Sequence, residues 1–145
     1  MVRNILAILA VVIAAVVLIN LLYTSDREYV EEEMLRLFEV ARGGGDDAVA
    51  EIMEAFAVDY RGTGYFSLKS IERRLRGAIV PAGRLKKLTH GSIDAVVKGQ
   101  EILIPTVSIQ AEFGKNPVNA VFAVSWAKRE GEWKIVDVKR WQFGD

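Results

Sequence analysis

The chain contains no cysteine and a single histidine, His90, among its 145 residues. No thiol is present to carry a lipid or to build a thiolate zinc site. With one imidazole and neither an HxxxH nor a DxD spacing, metal binding is poorly supported and no metal site is expected. The lack of cysteine fits either side of a membrane and does not choose between them. Internal repeats and low-complexity tails are absent too. So is a phosphate-binding loop. The one glycine-rich stretch, "GGGDD" at 43–47, follows a helical pattern instead of a strand and lacks the Lys-Ser/Thr pair that meets phosphate and magnesium; its two carboxylates would repel an anion. It reads as a corner between helices, and no cofactor is implied. Net charge is also missing, since 19 basic residues balance 19 acidic ones.

That balance hides an asymmetry. Ten acidic and three basic residues lie between Asp26 and Glu54, whereas nine basic and two acidic residues lie between Arg61 and Lys98. The most prominent local feature is apolar: Ile5 to Tyr23 holds no charge and one amide, Asn20. As a helix its 19 residues would be about 28 Å long, close to the thickness of a bilayer's hydrocarbon core. The run is longer than the apolar region of a secretory signal, and "NLLYTSD" after it lacks a small-x-small cleavage site. The expectation is an uncleaved single-pass anchor over residues 1–24 and a soluble domain over 25–145. Arg3 precedes the run and the acidic "SDREYVEEE" follows it, so the positive-inside bias places the N-terminus in the cytoplasm and the domain outside. A domain so placed is not expected to meet nucleic acid.

Beyond the run the periodicity is helical. Val30, Met34, Leu37, Phe38 and Ala41 fall on one face of a helix, and the glycines stop it. Asp46 or Asp47 is expected to cap a second helix carrying Val49, Ile52, Met53 and Phe56. "AVDYRGTGYF" reads as a brief strand broken by glycines. Ser67 is placed to cap a third helix, with Leu68, Ile71 and Leu75 inward and Gly77 as its stop. After Pro81 the pattern changes to four strand-length runs, "RLKKLTHGSIDAVV", "EILIPTVSIQAEF", "VNAVFAVSWAKR" and "EWKIVDVKRWQF", separated by the turns "KGQ", "GKNP" and "REGE". Three helices followed by an antiparallel meander make an α+β domain with the helices packed on one face of a curved sheet.

The amphipathic helix, "ARGGGDDAVAEIMEAFAVDY", the "SLKSIERRL" helix and the last hairpin "REGEWKIVDV" resemble the nuclear-transport-factor-2-like superfamily, which includes ketosteroid isomerase and the SnoaL-like cyclases. Gly45, Asp46, Phe56 and Asp59 stand at the superfamily's typical positions, and the resemblance spans roughly residues 29 to 143. It implies a cone-shaped domain with a pocket between helices and concave sheet. The isomerase chemistry needs a carboxylate base and two buried acids. By this alignment Phe38, Gly64 and Ser125 occupy those three places, so that mechanism is lost. The resemblance leaves a non-catalytic domain acting in assembly, scaffolding or ligand binding at a membrane surface. The alternative is an enzyme of the SnoaL-like or dehydratase type with a rearranged pocket, drawing on Asp59, Tyr60, Tyr65 or Arg140. His90 is expected to be an ordinary strand residue.

Three sets of candidate residues follow. If Val121, Ala123 and Ser125 face the cone, as the family alignment implies, then Phe38, Phe56, Tyr60, Ser125, Arg140 and Gln142 line a mostly apolar pocket for a small apolar or anionic ligand. Phe122, Trp126, Trp133 and Trp141 would then form an apolar convex face suited to homodimerisation. Arg73, Arg74, Arg76, Arg84, Lys86 and Lys87 form a basic cluster suited to anionic lipid or an acidic partner.

Overall fold

The computed structural model describes residues 2–81 and 83–140; for residues 2 and 20–25 it describes the helical backbone only. A single helix, α1, runs from Val2 to Gly43. Its second half packs on the domain through the expected stripe, with Val30, Met34, Leu37 and Phe38 buried and Ala41 half-buried. Along its first half, residues 3–19 are exposed all round, with Ile5 at 65% and Val11 at 69% exposure. Among the described residues no helix is long and apolar enough to cross a membrane. The expected anchor, Ile5 to Tyr23, extends through 20–23, whose side chains lie outside the description.

The glycine stretch is the expected corner, with an unexpected cap. Gly44 (φ 67°) and Gly45 (φ 91°) turn the chain in the left-handed region, and α2 runs from Asp46 to Glu54. Its N-cap is Gly45, with no side-chain capping bond. Asp46 turns instead to Arg76 (2.8 Å), and the Gly45 N–H donates to the Ile79 carbonyl at 3.0 Å. The Asp residues therefore serve the helix dipole from the first turn, not from the cap. α3, Leu68–Ile79, begins as expected, because Ser67 Oγ accepts the Ser70 N–H at 3.3 Å. It runs two residues past Gly77, since one glycine weakens a helix without ending it.

The strand region forms one antiparallel sheet of β1 (Leu85–His90), β2 (Val96–Lys98), β3 (Glu101–Phe113), β4 (Asn116–Arg129) and β5 (Glu132–Arg140). The first expected run divides in two. β1 pairs with the C-terminal part of β3 and β2 with its N-terminal part. β3 tolerates Pro105 in its interior because the ladder to β4 shifts register between Ile104 and Val107, where a missing N–H costs least. Glu130 (φ 54°) and Gly131 (φ 81°) form a two-residue turn from β4 to β5, the geometry that matches strand twist. The expected brief strand after α2 reduces to one parallel bridge, Phe56 to Ile135, followed by a 3₁₀ turn at Gly64–Phe66. Residues 55–61 nonetheless cover the edge of β5: the Ala57 and Arg61 N–H groups donate to the Ile135 and Val136 carbonyls at 2.9 and 2.8 Å.

α1 lies along the sheet with a defined polarity. Glu31 accepts the Ala95 N–H (3.1 Å) beside β2, and Arg42 donates to the Leu88 carbonyl (3.1 Å) in β1. The exposed apolar segment thus leaves the domain at the β2 end, away from the β3–β4 hairpin.

Candidate functional site

The helices and the sheet border a half-open cavity of about 360 Å³. Among its 24 described lining residues only Arg74 is polar. The helices contribute Met34, Leu37 and Phe38 from α1 and Ile71, Leu75 and Ala78 from α3; the sheet contributes Val107, Ala120, Phe122, Val124 and Val138. Phe66 meets Phe122 edge-on, with ring centroids 6.0 Å apart, so the 3₁₀ turn caps the aromatic side of the cavity.

Arg74 reaches this wall by helical geometry. It follows Ile71 by three positions and shares its face of α3. Its guanidinium lies 3.1 Å from the centroid of the Tyr65 ring, donates to the Tyr65 carbonyl, and reaches Ser70 Oγ at 3.3 Å. Ring stacking and a neutral acceptor hold the fork in place. Among the described residues no carboxylate pairs with Arg74.

The expected ligand residues separate. Phe38 and Phe56 line the cavity. Tyr60 sits behind Phe56, ring edge to face at 5.3 Å, and not in the wall. Ser125 pairs with Leu103 and Asp137, on the sheet face turned away from the cavity. Arg140 shares the cavity side by its pairing with Phe122 but is exposed and outside the lining. Gln142 lies outside the described residues. Of the three isomerase positions, Phe38 lies in the wall, Gly64 begins the 3₁₀ turn, and Ser125 faces the other way.

The expected strand parity is therefore reversed, and the reason is geometric. Moving a strand by one residue exchanges its two faces, and an alignment made without gaps carries that error along the whole strand. On β4 it is Phe122, Val124 and Trp126 that join the core under the helices. On β5 a bulge at Val136 puts Ile135 and Val138 on the same side, while Val136 packs with Ala57 and Ala127. Trp133 is half-buried against the core, and Trp141 lies outside the described residues. Among the described residues the outer face carries Ser108, Val121, Ala123, Ser125, Asp137 and Lys139, so Phe122 and Trp126 of the expected convex face do not lie on it.

The basic cluster also divides. Arg76 is paired with Asp46 (2.8 Å) and Glu72 (3.1 Å), Arg74 belongs to the cavity, and Arg73 leans on Ser70 Oγ at 3.4 Å. Arg84, Lys86 and Lys87 stay exposed around the irregular start of β1. His90 stacks on Phe38 (centroids 4.7 Å apart, 15° between planes), with Nδ1 2.8 Å from the Gly91 carbonyl. Asp59 is held by Arg129 at 3.0 Å, and that guanidinium keeps its carboxyl below the ordinary range. The described lining holds no carboxylate, imidazole or amine.

Tyr60 carries the clearest titration signal. Its hydroxyl is enclosed beside Gly62, where a side chain would collide with the ring, and it makes no hydrogen bond. Burial first, then the Asp137 carboxylate, pushes the phenol up from 10.0 to about 12; the Val138 backbone pulls weakly the other way, with geometry short of a hydrogen bond. The raised value favours the neutral form in the fold. The stability it contributes is intact below pH 10 and is lost as pH rises toward about 12. Tyr60→Phe is expected to be neutral or to stabilise by about 1 kcal/mol, by removing an unsatisfied hydroxyl. It should also flatten the alkaline loss, measured as urea midpoints at pH 8 and pH 11.

No protein-family model and no curated protein matches this chain. Solved structures do. A variant of the protein Rd1NTF2_05 is similar over 79% of this chain and 97% of its own, with a TM-score of 0.57 at 11% identity. Bd1075 of Bdellovibrio bacteriovorus is similar over 77% of the chain, with a TM-score of 0.56 at 16% identity; the match spans 41% of its length. An LEH-like epoxide hydrolase of M. tuberculosis has a TM-score of 0.43 at 16% identity, over 74% of this chain and 80% of its own. At such identities the likeness speaks of fold alone. Taken with the helices packed on an antiparallel sheet, the likeness to the first two makes this an α+β domain that shares their fold.

Proposed function

We propose that this protein is a non-catalytic binding module that holds an apolar ligand in its cone at a membrane surface. The observation that carries the reading is the cavity of about 360 Å³ lined by apolar side chains except for Arg74. Its volume falls within the range of small-molecule sites, and an apolar lining with one polar group is their usual composition. The same inventory speaks against the dehydratase-type alternative, because proton transfer needs a group of tuned pKa within reach of the substrate.

The membrane part of the reading rests on α1. Seventeen consecutive exposed residues, 3–19, hold one charge, Arg3, and a helix apolar on every side is one that lipid or protein covers. In this arrangement the apolar run inserts with Arg3 on the cytoplasmic side and the domain outside. The β2 end then faces the bilayer. Arg84, Lys86 and Lys87 face away from it, toward a soluble acidic partner.

Two measurements test the reading. The full chain should stay in the membrane fraction after carbonate extraction, and Ile8→Arg with Val12→Arg should release it; release of the unsubstituted chain would remove the anchor. A photoactivatable long-chain alcohol should label peptides of α3 and β4, and Ala120→Phe, which fills the cavity, should reduce that labelling about tenfold, as expected for loss of an apolar site. Equal labelling in both would show that the cavity is not the ligand site.

A further inference from the structure

Arg74 is a charged side chain placed in the wall of an otherwise apolar cavity. The guanidinium is half-buried there, so it gives up only part of its hydration and stays accessible to a bound anion. Of the other arginines on α3 and the covered edge, Arg76 has Asp46 and Glu72, Arg61 has Glu101 at 2.8 Å, and Arg129 has Asp59, while Arg73, outside the cavity lining, is exposed and reaches only Ser70 Oγ. Arg74 has a ring face, a carbonyl and a hydroxyl, which orient it without neutralising it. A cation held in place, without a counter-charge, at the edge of an apolar chamber is suited to a molecule with one anionic head and one apolar chain.

We propose that the ligand is a single-chain anionic amphiphile, its carboxylate or phosphate head on Arg74 and its chain between α3 and Phe122. This rests on the reading of the cavity as a ligand site. Tyr65 acts as a positioning residue: its ring fixes the plane of the guanidinium, so that the remaining fork N–H groups meet two anion oxygens.

The experiment uses the full chain in phosphatidylcholine nanodiscs, with a photoactivatable dodecanol as reporter of cavity occupancy. Dodecanoate, dodecyl phosphate and dodecanol compete against it, each corrected for partition into empty discs. The expected result is that at least one anion competes about tenfold more strongly than dodecanol, the scale of one charge-assisted hydrogen bond. Dodecanoate and dodecyl phosphate compared with each other distinguish a fatty-acid head from a phospholipid-type head. Arg74→Gln should bring the anions to parity with dodecanol, while Arg74→Lys should keep part of the preference. The comparison within the unsubstituted protein stands even if Arg74→Gln fails to fold. Parity of all three competitors in that protein overturns the assignment of the head while leaving an apolar site. So does a preference that persists in a folded Arg74→Gln. Absence of cavity labelling by the reporter overturns the ligand reading itself, and this proposal with it.

Discussion

Trp126→Ala is expected to destabilise the domain by about 3–5 kcal/mol, the range for emptying a large aromatic site in a core. Trp126 is fully buried on β4, with Ile102 beside it on β3 and Ile135 on β5. Three strands converge there beneath the helices, so little can collapse into the space left behind. The loss would be a large share of a typical domain stability of about 5–15 kcal/mol. Trp126→Phe is the informative comparison. The indole Nε1 is buried without a hydrogen-bond partner, so phenylalanine loses packing but also removes an unsatisfied donor. Its cost should be less than half that of alanine. Urea unfolding followed by far-UV circular dichroism reads both, and equal costs would mean that the indole N–H is satisfied in solution.

Gly44→Ala should cost about 2–3 kcal/mol, and its neighbour supplies the control. Gly44 has φ 67°, and an added Cβ would lie 2.8 Å from the Ile79 carbonyl oxygen. That carbonyl already accepts the Gly45 N–H, so it cannot withdraw without opening the contact that joins the α1–α2 corner to the end of α3. Left-handed strain and steric overlap add at one atom. Gly43 lies in the last turn of α1, and a Cβ there meets nothing within 4 Å. Gly43→Ala should therefore stabilise by about 0.5–1 kcal/mol, because alanine is the better helix residue. Opposite signs at adjacent glycines, read as urea midpoints, are the signature. Two equal losses would place the strain elsewhere in the corner.

Much of the fold was legible because its signals are local. The stripe from Val30 to Ala41, the Ser67 cap and the division of the C-terminal half into strand-length runs each depend on residues within a few positions of one another. Phe38 and Phe56 were placed in the cavity for the same reason, since an amphipathic helix and its end state which side is apolar. Arg74 was also within reach of the sequence, three residues after Ile71 on an inward face. It was grouped with its solvated neighbours because composition alone makes any arginine look like a surface residue.

By itself the sequence determined that a 3.6-residue period ends at three glycines and a two-residue period follows Pro81, and hence an α+β order of elements behind an apolar run. Only the tertiary structure decided which strand face is inside. Phe122 and Val121 both suit a half-buried strand, and the choice between them rests on register with β3 and β5, on the bulge at Val136, and on where the helices lie. These are long-range constraints, and period alone cannot carry them because both faces of β4 are acceptable until one is covered. Covering turned Phe122 and Trp126 inward and Ser125 outward, and it made one arginine of a basic helix the single charge among the described residues of an apolar cavity wall.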